Sequence, residues 1–349
     1  MDEPPDPIEF FRQHVSCSVP CILRRPVPCL PSRLTLDDIV DRCGESLEIT
    51  VDVTPDGHGD CIRTVAASGN HRKMFVKPQE RRMSIGHFRR SLRSTPRSTK
   101  ERRPQDEEGN AMFNQLEHDH DGKQTVPQDG SPRHEVVYYS RQNDCLRTEL
   151  KPLWDLGLFP STFEFAEKAF GTGPPDAVNL WIGNQDAVSS MHKDHYENLF
   201  YVLSGEKVFT LCPPADAPFL HLDEYDSGRF VTKGAESGWA VEPDDPPQRV
   251  KWIEPDVTRL KHDNGYARRF PLLRHTHPLQ VRVRQGEMLY LPSLWFHHVT
   301  QTCETVGINY WFDMRFDTPL WCYFNLLQQL QLQPQTGEGN EQSAAEHNG

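Results

Sequence analysis

The chain has 349 residues, 36% of them hydrophobic, with 29 prolines and a formal net charge of −12. That length suits one large domain with attachments or two modest ones, and the proline content implies long polar loops. The acidic balance argues against non-specific nucleic-acid binding, and no stretch reaches the apolar length of a membrane span.

Residues 7–94 read as an α/β region. Ile8-Glu9-Phe10-Phe11 carries a helical apolar face, Cys21-Ile22-Leu23 a short strand, and a helix is expected to begin near Thr35. Leu47 to Val53 alternates as a half-exposed strand that ends at Pro55-Asp56-Gly57, and Ser84 to Leu92 reads as a short helix. The acidic start Met1-Asp2-Glu3 is unlike a signal peptide, so a cytoplasmic setting is expected, with the nucleus as a second location. Nine cysteines include no Cys-x-x-Cys pair and read mostly as small buried hydrophobes, with Cys17 and Cys21 the candidates for an intersubunit disulfide.

Residues 95–134 are rich in Ser, Pro, Asp, Glu, Gln and Gly and nearly empty of apolar side chains, which predicts a disordered insertion. The basic run from Arg89 to Arg103 at its entrance reads as a solvated helix face followed by a loop, with a nuclear signal or nucleic-acid contact as the alternative. His118-Asp119-His120 has metal-ligand spacing, but no strand holds it. Glu135 to Tyr139 restarts order as a strand. Residues 135–332 then form the main β unit, with polar loops expected around 221–247 and 255–272. Its end has helical spacing, with Phe324, Leu327 and Leu330 on one face that would cover the β unit or pair with a second subunit. The tail 333–349 is Gln-, Glu- and Gly-rich and is expected to be disordered.

The chemistry concentrates in Met191-His192-Lys193-Asp194-His195. Side chains two residues apart on a strand point the same way, so His192 and Asp194 can ligate one metal. Tyr290 to His298 supplies a third histidine. Two imidazoles and a carboxylate make the facial triad of non-haem iron(II) oxygenases, which leaves coordination positions open. His-x-Asp alone is common, but both segments lie among short apolar strands with turn punctuation at Ser204-Gly205 and Gln285-Gly286. This punctuation predicts a mainly β barrel or sandwich.

Four blocks in order, Asn179-Leu180-Trp181, His192 to Leu199, Ser204 to Lys207 and Gly286 to Val299, resemble the JmjC family, over about Phe10 to Leu330 apart from the insertion. The resemblance implies a double-stranded β-helix, a cupin-like jelly roll, with N-terminal α/β elements and a C-terminal helix. It also implies iron(II), 2-oxoglutarate as co-substrate and dioxygen, with ascorbate as the assay reductant. Carried over residue by residue, His192, Asp194 and His297 bind iron. His297 is chosen over His298 because Trp295-Phe296-His297 matches the family's aromatic-aromatic-His ending. Lys207, fifteen residues after His192, matches the lysine that pairs with the distal carboxylate of 2-oxoglutarate. Ser189 and Tyr138 match hydroxyl donors to that carboxylate. Asn198 and Asn309 match amides near its iron-bound end, and Trp181, Trp311 and Phe312 read as core.

Ser189 stands where the family often has threonine, Phe200 where its nearest branch has tyrosine, and the N-terminal arm is shorter than the family's. That branch hydroxylates lysine side chains, which implies a protein substrate, a lysine of a translation-linked developmentally regulated GTP-binding protein. It leaves open a homodimer through the N-terminal segment or C-terminal helix. The alternatives are demethylation of histone N-methyl-lysine and a cupin-like binding module without turnover.

Overall fold

Short runs of apolar and β-branched residues fold the centre of the chain into two five-stranded sheets. The computed structural model describes residues 5–24, 30–67, 70–94, 135–232, 238–261 and 263–329. The first sheet runs Cys21–Leu23, Met288–Leu291, Tyr196–Ser204, Thr305–Asp313 and Ala177–Gly183, antiparallel throughout. The second runs Leu279–Arg284, Glu206–Cys212, Phe296–Gln301, Val188–Lys193 and the short parallel edge His58–Gly59. Phe200, Val202 and Leu289 of the first sheet meet Phe209, Val283 and Val299 of the second in one buried cluster. The two sheets therefore pack face to face, as a double-stranded β-helix requires.

The opposite face of the first sheet is apolar too. Leu199, Tyr201, Tyr290, Ile308 and Phe312 join Ile39, Val40, Phe88 and Phe170 from the flanking helices in the largest core. The helix Leu36–Cys43 starts as expected, because Thr35 accepts from the Asp38 backbone N–H while Asp38 accepts from the Thr35 N–H. Behind the second sheet, Met191, Cys212 and Phe296 pack with Phe324 and Leu327 of the helix Pro319–Gln329. That helix covers the barrel, as its spacing predicts. Leu330, the insertion 95–134 with its His118-Asp119-His120, and the tail 333–349 lie outside the described residues.

Two expected loops are ordered. Residues 222–253 form three strands, Leu222–Thr232, Trp239–Pro243 and Arg249–Ile253, on a sheet that continues through Asn70–Lys77 to Cys61–Ala67. Asp223, Glu224 and Arg229 of the first of these strands are exposed, so composition hides the buried Tyr225, Ser227 and Phe230. The segment 255–272 likewise holds a 3-10 turn, Val257–Lys261, and a short helix, Asn264–Arg269, capped by Asp263. The strand Glu48–Thr54 is more buried than its alternation suggests, because residues 51–54 are all covered.

The cysteine expectation holds only in part. Cys61, Cys145 and Cys212 are buried, whereas Cys17, Cys303 and Cys322 are exposed on turns and on the solvent side of the terminal helix. Arg89 and Arg93 of the helix Ile85–Ser94 are engaged by Asp37, Glu45 and Glu304, which fits the helix-face reading of that basic run. Among the described residues no helix is long and apolar enough to cross a membrane.

Candidate metal centre

His192 and His297 sit opposite each other on neighbouring antiparallel strands, with ring centroids 4.2 Å apart. Asp194 follows two residues after His192, and its Oδ2 lies 3.6 Å from His297 Nε2. One ligand atom from each residue falls within 4.8 Å of the others, and no other such cluster occurs among the described residues. Each ring's Nδ1–H donates to a backbone carbonyl, at 2.7 Å for His192 to Ser190 and 3.0 Å for His297 to Trp295. That tautomer turns both Nε2 lone pairs toward the same point, as metal ligation needs. Burial, reinforced by neighbouring His192, pushes His297 down to about 4, which keeps the ring neutral at ordinary pH. These donors fit a divalent metal that accepts nitrogen and carboxylate ligands. His298 pairs with Thr210 on the next strand and is not part of the cluster.

The same sheet carries the rest of the predicted site. Lys207 pairs in register with Gln301, Phe209 with Val299 and Leu211 with His297. By strand alternation all six therefore share the inner face. Lys207 is 8% exposed, and its ammonium donates to Gln301 Oε1. Burial alone pushes Lys207 down to about 8. Among the described residues no carboxylate pairs with it, so the buried cation is held by an amide oxygen. Tyr138, Ser189 and Lys207 line one cavity, together with Val299, Gln301 and Trp181.

Ser189 reaches that cavity through an irregularity in pairing. It aligns with Val299 while His192 aligns with His297, so three residues on one strand span two on the other. This β-bulge lets Ser189 and His192, an odd number apart, face the same interior. Asn198 and Asn309 lie on the facing sheet, both buried. Asn309 Nδ2 donates to Asn198 Oδ1 at 3.4 Å, and Asn309 Oδ1 accepts from the Trp181 indole at 3.0 Å. Trp181 and Trp311 meet edge-on at 6.5 Å, whereas Phe312 packs in the outer core. Phe200 is buried in the barrel interior.

Four further contributors lie outside the sequence motifs. Gln301 is four residues after His297 on one strand, so period-two alternation could have found it. Gly59 could not have been found that way. A Cβ there would lie 2.0 Å from the Tyr138 hydroxyl oxygen, so only glycine leaves room for that side chain. Trp252 lies parallel to the His192 ring, 5.9 Å away with a 6° interplanar angle, and its indole donates to Ser190 Oγ at 2.9 Å. Asp60 follows the edge strand beside Ser189, where no sequence pattern singles it out.

Comparison with known proteins agrees with this geometry. A family model described as a cupin-like domain matches residues 7–318. JmjC domain-containing protein E of Dictyostelium discoideum is 31% identical, across 94% of this chain and 87% of its own length. Lysine-specific demethylase JMJ32 of Arabidopsis thaliana is 32% identical, across 94% and 85%. Bifunctional peptidase and (3S)-lysyl hydroxylase JMJD7 of Homo sapiens is 35% identical, across 95% and 88%. With its facing sheets and its His-Asp-His cluster, this chain belongs to the cupin-like JmjC domain family.

Proposed function

We propose that this chain is an iron(II)- and 2-oxoglutarate-dependent oxygenase that hydroxylates a lysine side chain in a protein. The observation that carries the reading is the pairing of a three-ligand centre with a buried, carboxylate-free lysine on the same inner face. Three protein ligands leave coordination positions free, whereas a structural metal site is closed by four. When bound, iron(II) with 2-oxoglutarate supplies the oxygen activation needed to hydroxylate an unactivated carbon.

The remaining work falls to side chains. His192, Asp194 and His297 hold the metal on one side. Lys207 offers its ammonium to the distal carboxylate of 2-oxoglutarate, exchanging Gln301 Oε1 for a full anion. Ser189 and Tyr138 add hydroxyl donors from the same cavity wall. Asn198 and Asn309 present amides from the facing sheet, and the apolar barrel interior of Phe200, Phe209 and Val299 excludes water.

A lysine substrate is supported by two relatives whose names carry lysine chemistry, one a lysyl hydroxylase and one a lysine-specific demethylase. Demethylation of N-methyl-lysine is therefore the second reading. Translation-linked GTP-binding proteins are the substrates we propose to try first. The test incubates the protein with iron(II), ascorbate, 2-oxoglutarate and a lysine peptide from such a protein, in plain and methylated forms. Gain of one oxygen on the plain lysine with matching succinate is the expected result. Loss of a methyl group would favour the demethylase. Absence of both succinate and mass change, with iron bound, would favour a binding module.

A further inference from the structure

Trp252 stands on the strand Arg249–Ile253, outside the two sheets that carry the metal ligands. Its ring nonetheless lies parallel to that of His192, 5.9 Å away at an interplanar angle of 6°. Parallel rings at that separation form the offset stack that aromatic pairs favour. Trp252 also packs against the buried Phe75, with ring centroids 4.6 Å apart. Phe75 belongs to the strand Asn70–Lys77 of the same sheet system, so the indole is braced from its own side.

A hydrogen-bond route joins the same two residues. The Trp252 indole N–H donates to Ser190 Oγ at 2.9 Å, and that Oγ donates onward to the Asp60 carbonyl at 2.5 Å. Donor and acceptor roles of the hydroxyl are both used, which fixes its rotamer. Ser190 is also the residue whose carbonyl takes the His192 Nδ1–H. One tryptophan therefore meets His192 twice, ring against ring and through the residue that sets its tautomer. His297 has a matching arrangement. Trp295, whose carbonyl takes the His297 Nδ1–H, is anchored by its own indole on the Ser18 carbonyl at 2.9 Å. In each case an indole N–H secures the residue two positions before a metal ligand.

We infer that Trp252 is a positioning residue of the metal centre, whose ring sets the plane of His192 and whose N–H holds Ser190 in place. The inference rests on the metal site of the proposed function and is independent of the substrate. An indole combines a wide flat face with a single donor. Phenylalanine keeps a face and loses the bond, whereas leucine loses both. A ligand ring that is free to turn binds metal less well, because binding must then order it. The sheet that carries Trp252 thus contributes to the centre without supplying a ligand.

The experiment measures manganese(II) binding to the full chain by calorimetry, with thermal unfolding of the same samples. The visible spectrum of the cobalt(II)-saturated protein reports ligand geometry. Trp252→Phe and Ser190→Ala are each expected to weaken manganese(II) about tenfold, and Trp252→Leu to approach a hundredfold, roughly the range for lost partners of metal-binding histidines. Trp252→Phe combined with Ser190→Ala should bind no more weakly than Ser190→Ala alone, because both changes remove one bond. The cobalt(II) spectrum should shift in Trp252→Leu, an effect that lost packing away from the centre would not produce.

Variants that melt earlier yet keep wild-type manganese(II) affinity and cobalt(II) spectrum would overturn the inference, by making Trp252 a packing residue. A double variant weakened by the product of the two single losses would also overturn it, since indole and Ser190 would then act separately. Should Trp252→Leu fail to fold, Trp252→Phe and Ser190→Ala carry the same test. A wild type that binds neither metal would overturn the proposed metal centre and the inference with it.

Discussion

His192 and His297 face each other across one antiparallel strand pair, ring centroids 4.2 Å apart, each with its Nδ1–H on a carbonyl two residues earlier in the chain. The same local hydrogen bond thus fixes both tautomers, and neither depends on a distant side chain. Substituting either ring, or Asp194, should remove metal while leaving the barrel folded. We expect His297→Ala to bring manganese(II) binding, followed by calorimetry, to background. A variant that binds the metal as tightly as the wild type would move the centre elsewhere.

Lys207 is the anchor whose loss should be selective. Lys207→Met keeps the stem and removes the charge. It should weaken 2-oxoglutarate by roughly 10²-fold, about 3 kcal/mol for a lost charge-assisted pair, and leave metal affinity intact. Equal weakening of both ligands would argue for a packing role.

The same residue sets a pH dependence. Burial lowers Lys207 to about 8, so the free protein loses that positive charge as pH rises through this value. A bound carboxylate favours the charged form. The dissociation constant of 2-oxoglutarate should therefore be flat below pH about 7 and rise up to about tenfold per unit above pH 8. In the apo protein the sign is opposite. Lys207 binds its proton less well folded than unfolded, so its contribution to stability increases from pH about 8 toward its ordinary value of 10.5. Lys207→Met should abolish both effects. A wild-type affinity that does not change up to pH 9.5 would contradict this account.

Gly59 and Tyr138 should be coupled. Gly59→Ala places a Cβ 2.0 Å from the Tyr138 hydroxyl oxygen and is expected to cost about 1–3 kcal/mol. Tyr138→Phe removes that oxygen, so the double variant should recover much of the loss in thermal unfolding, a coupling of order 1 kcal/mol. Strict additivity would mean that the two residues do not meet.

The terminal helix should be structural for the metal end of the barrel. Phe324 is fully buried, 6.0 Å from Phe296, the residue before His297. Phe324→Ala should destabilise by about 3–5 kcal/mol, as for other large-to-small changes in a core. Exposed Tyr323 on the same helix should tolerate alanine within about 0.5 kcal/mol. Both values can be read from urea unfolding.

The candidate metal ligands could be read from the chain alone. His192, Asp194 and His297 are legible because strand alternation and ligand type are local properties. The same holds for the barrel strands around them, which are dense in apolar and β-branched residues, and for the capped helix after Thr35. Features that depend on partners far away in the chain emerge only in the folded protein. The strand Leu222–Thr232 looked like a loop because one side is charged, and it becomes ordered by pairing with Asn70–Lys77, a segment more than a hundred residues earlier. The β-bulge that turns Ser189 inward exists only in register with Phe296–Gln301. The Asp60 carbonyl meets Ser190 Oγ only because His58–Gly59 joins the sheet edge, a contact across about 130 residues that no local pattern encodes.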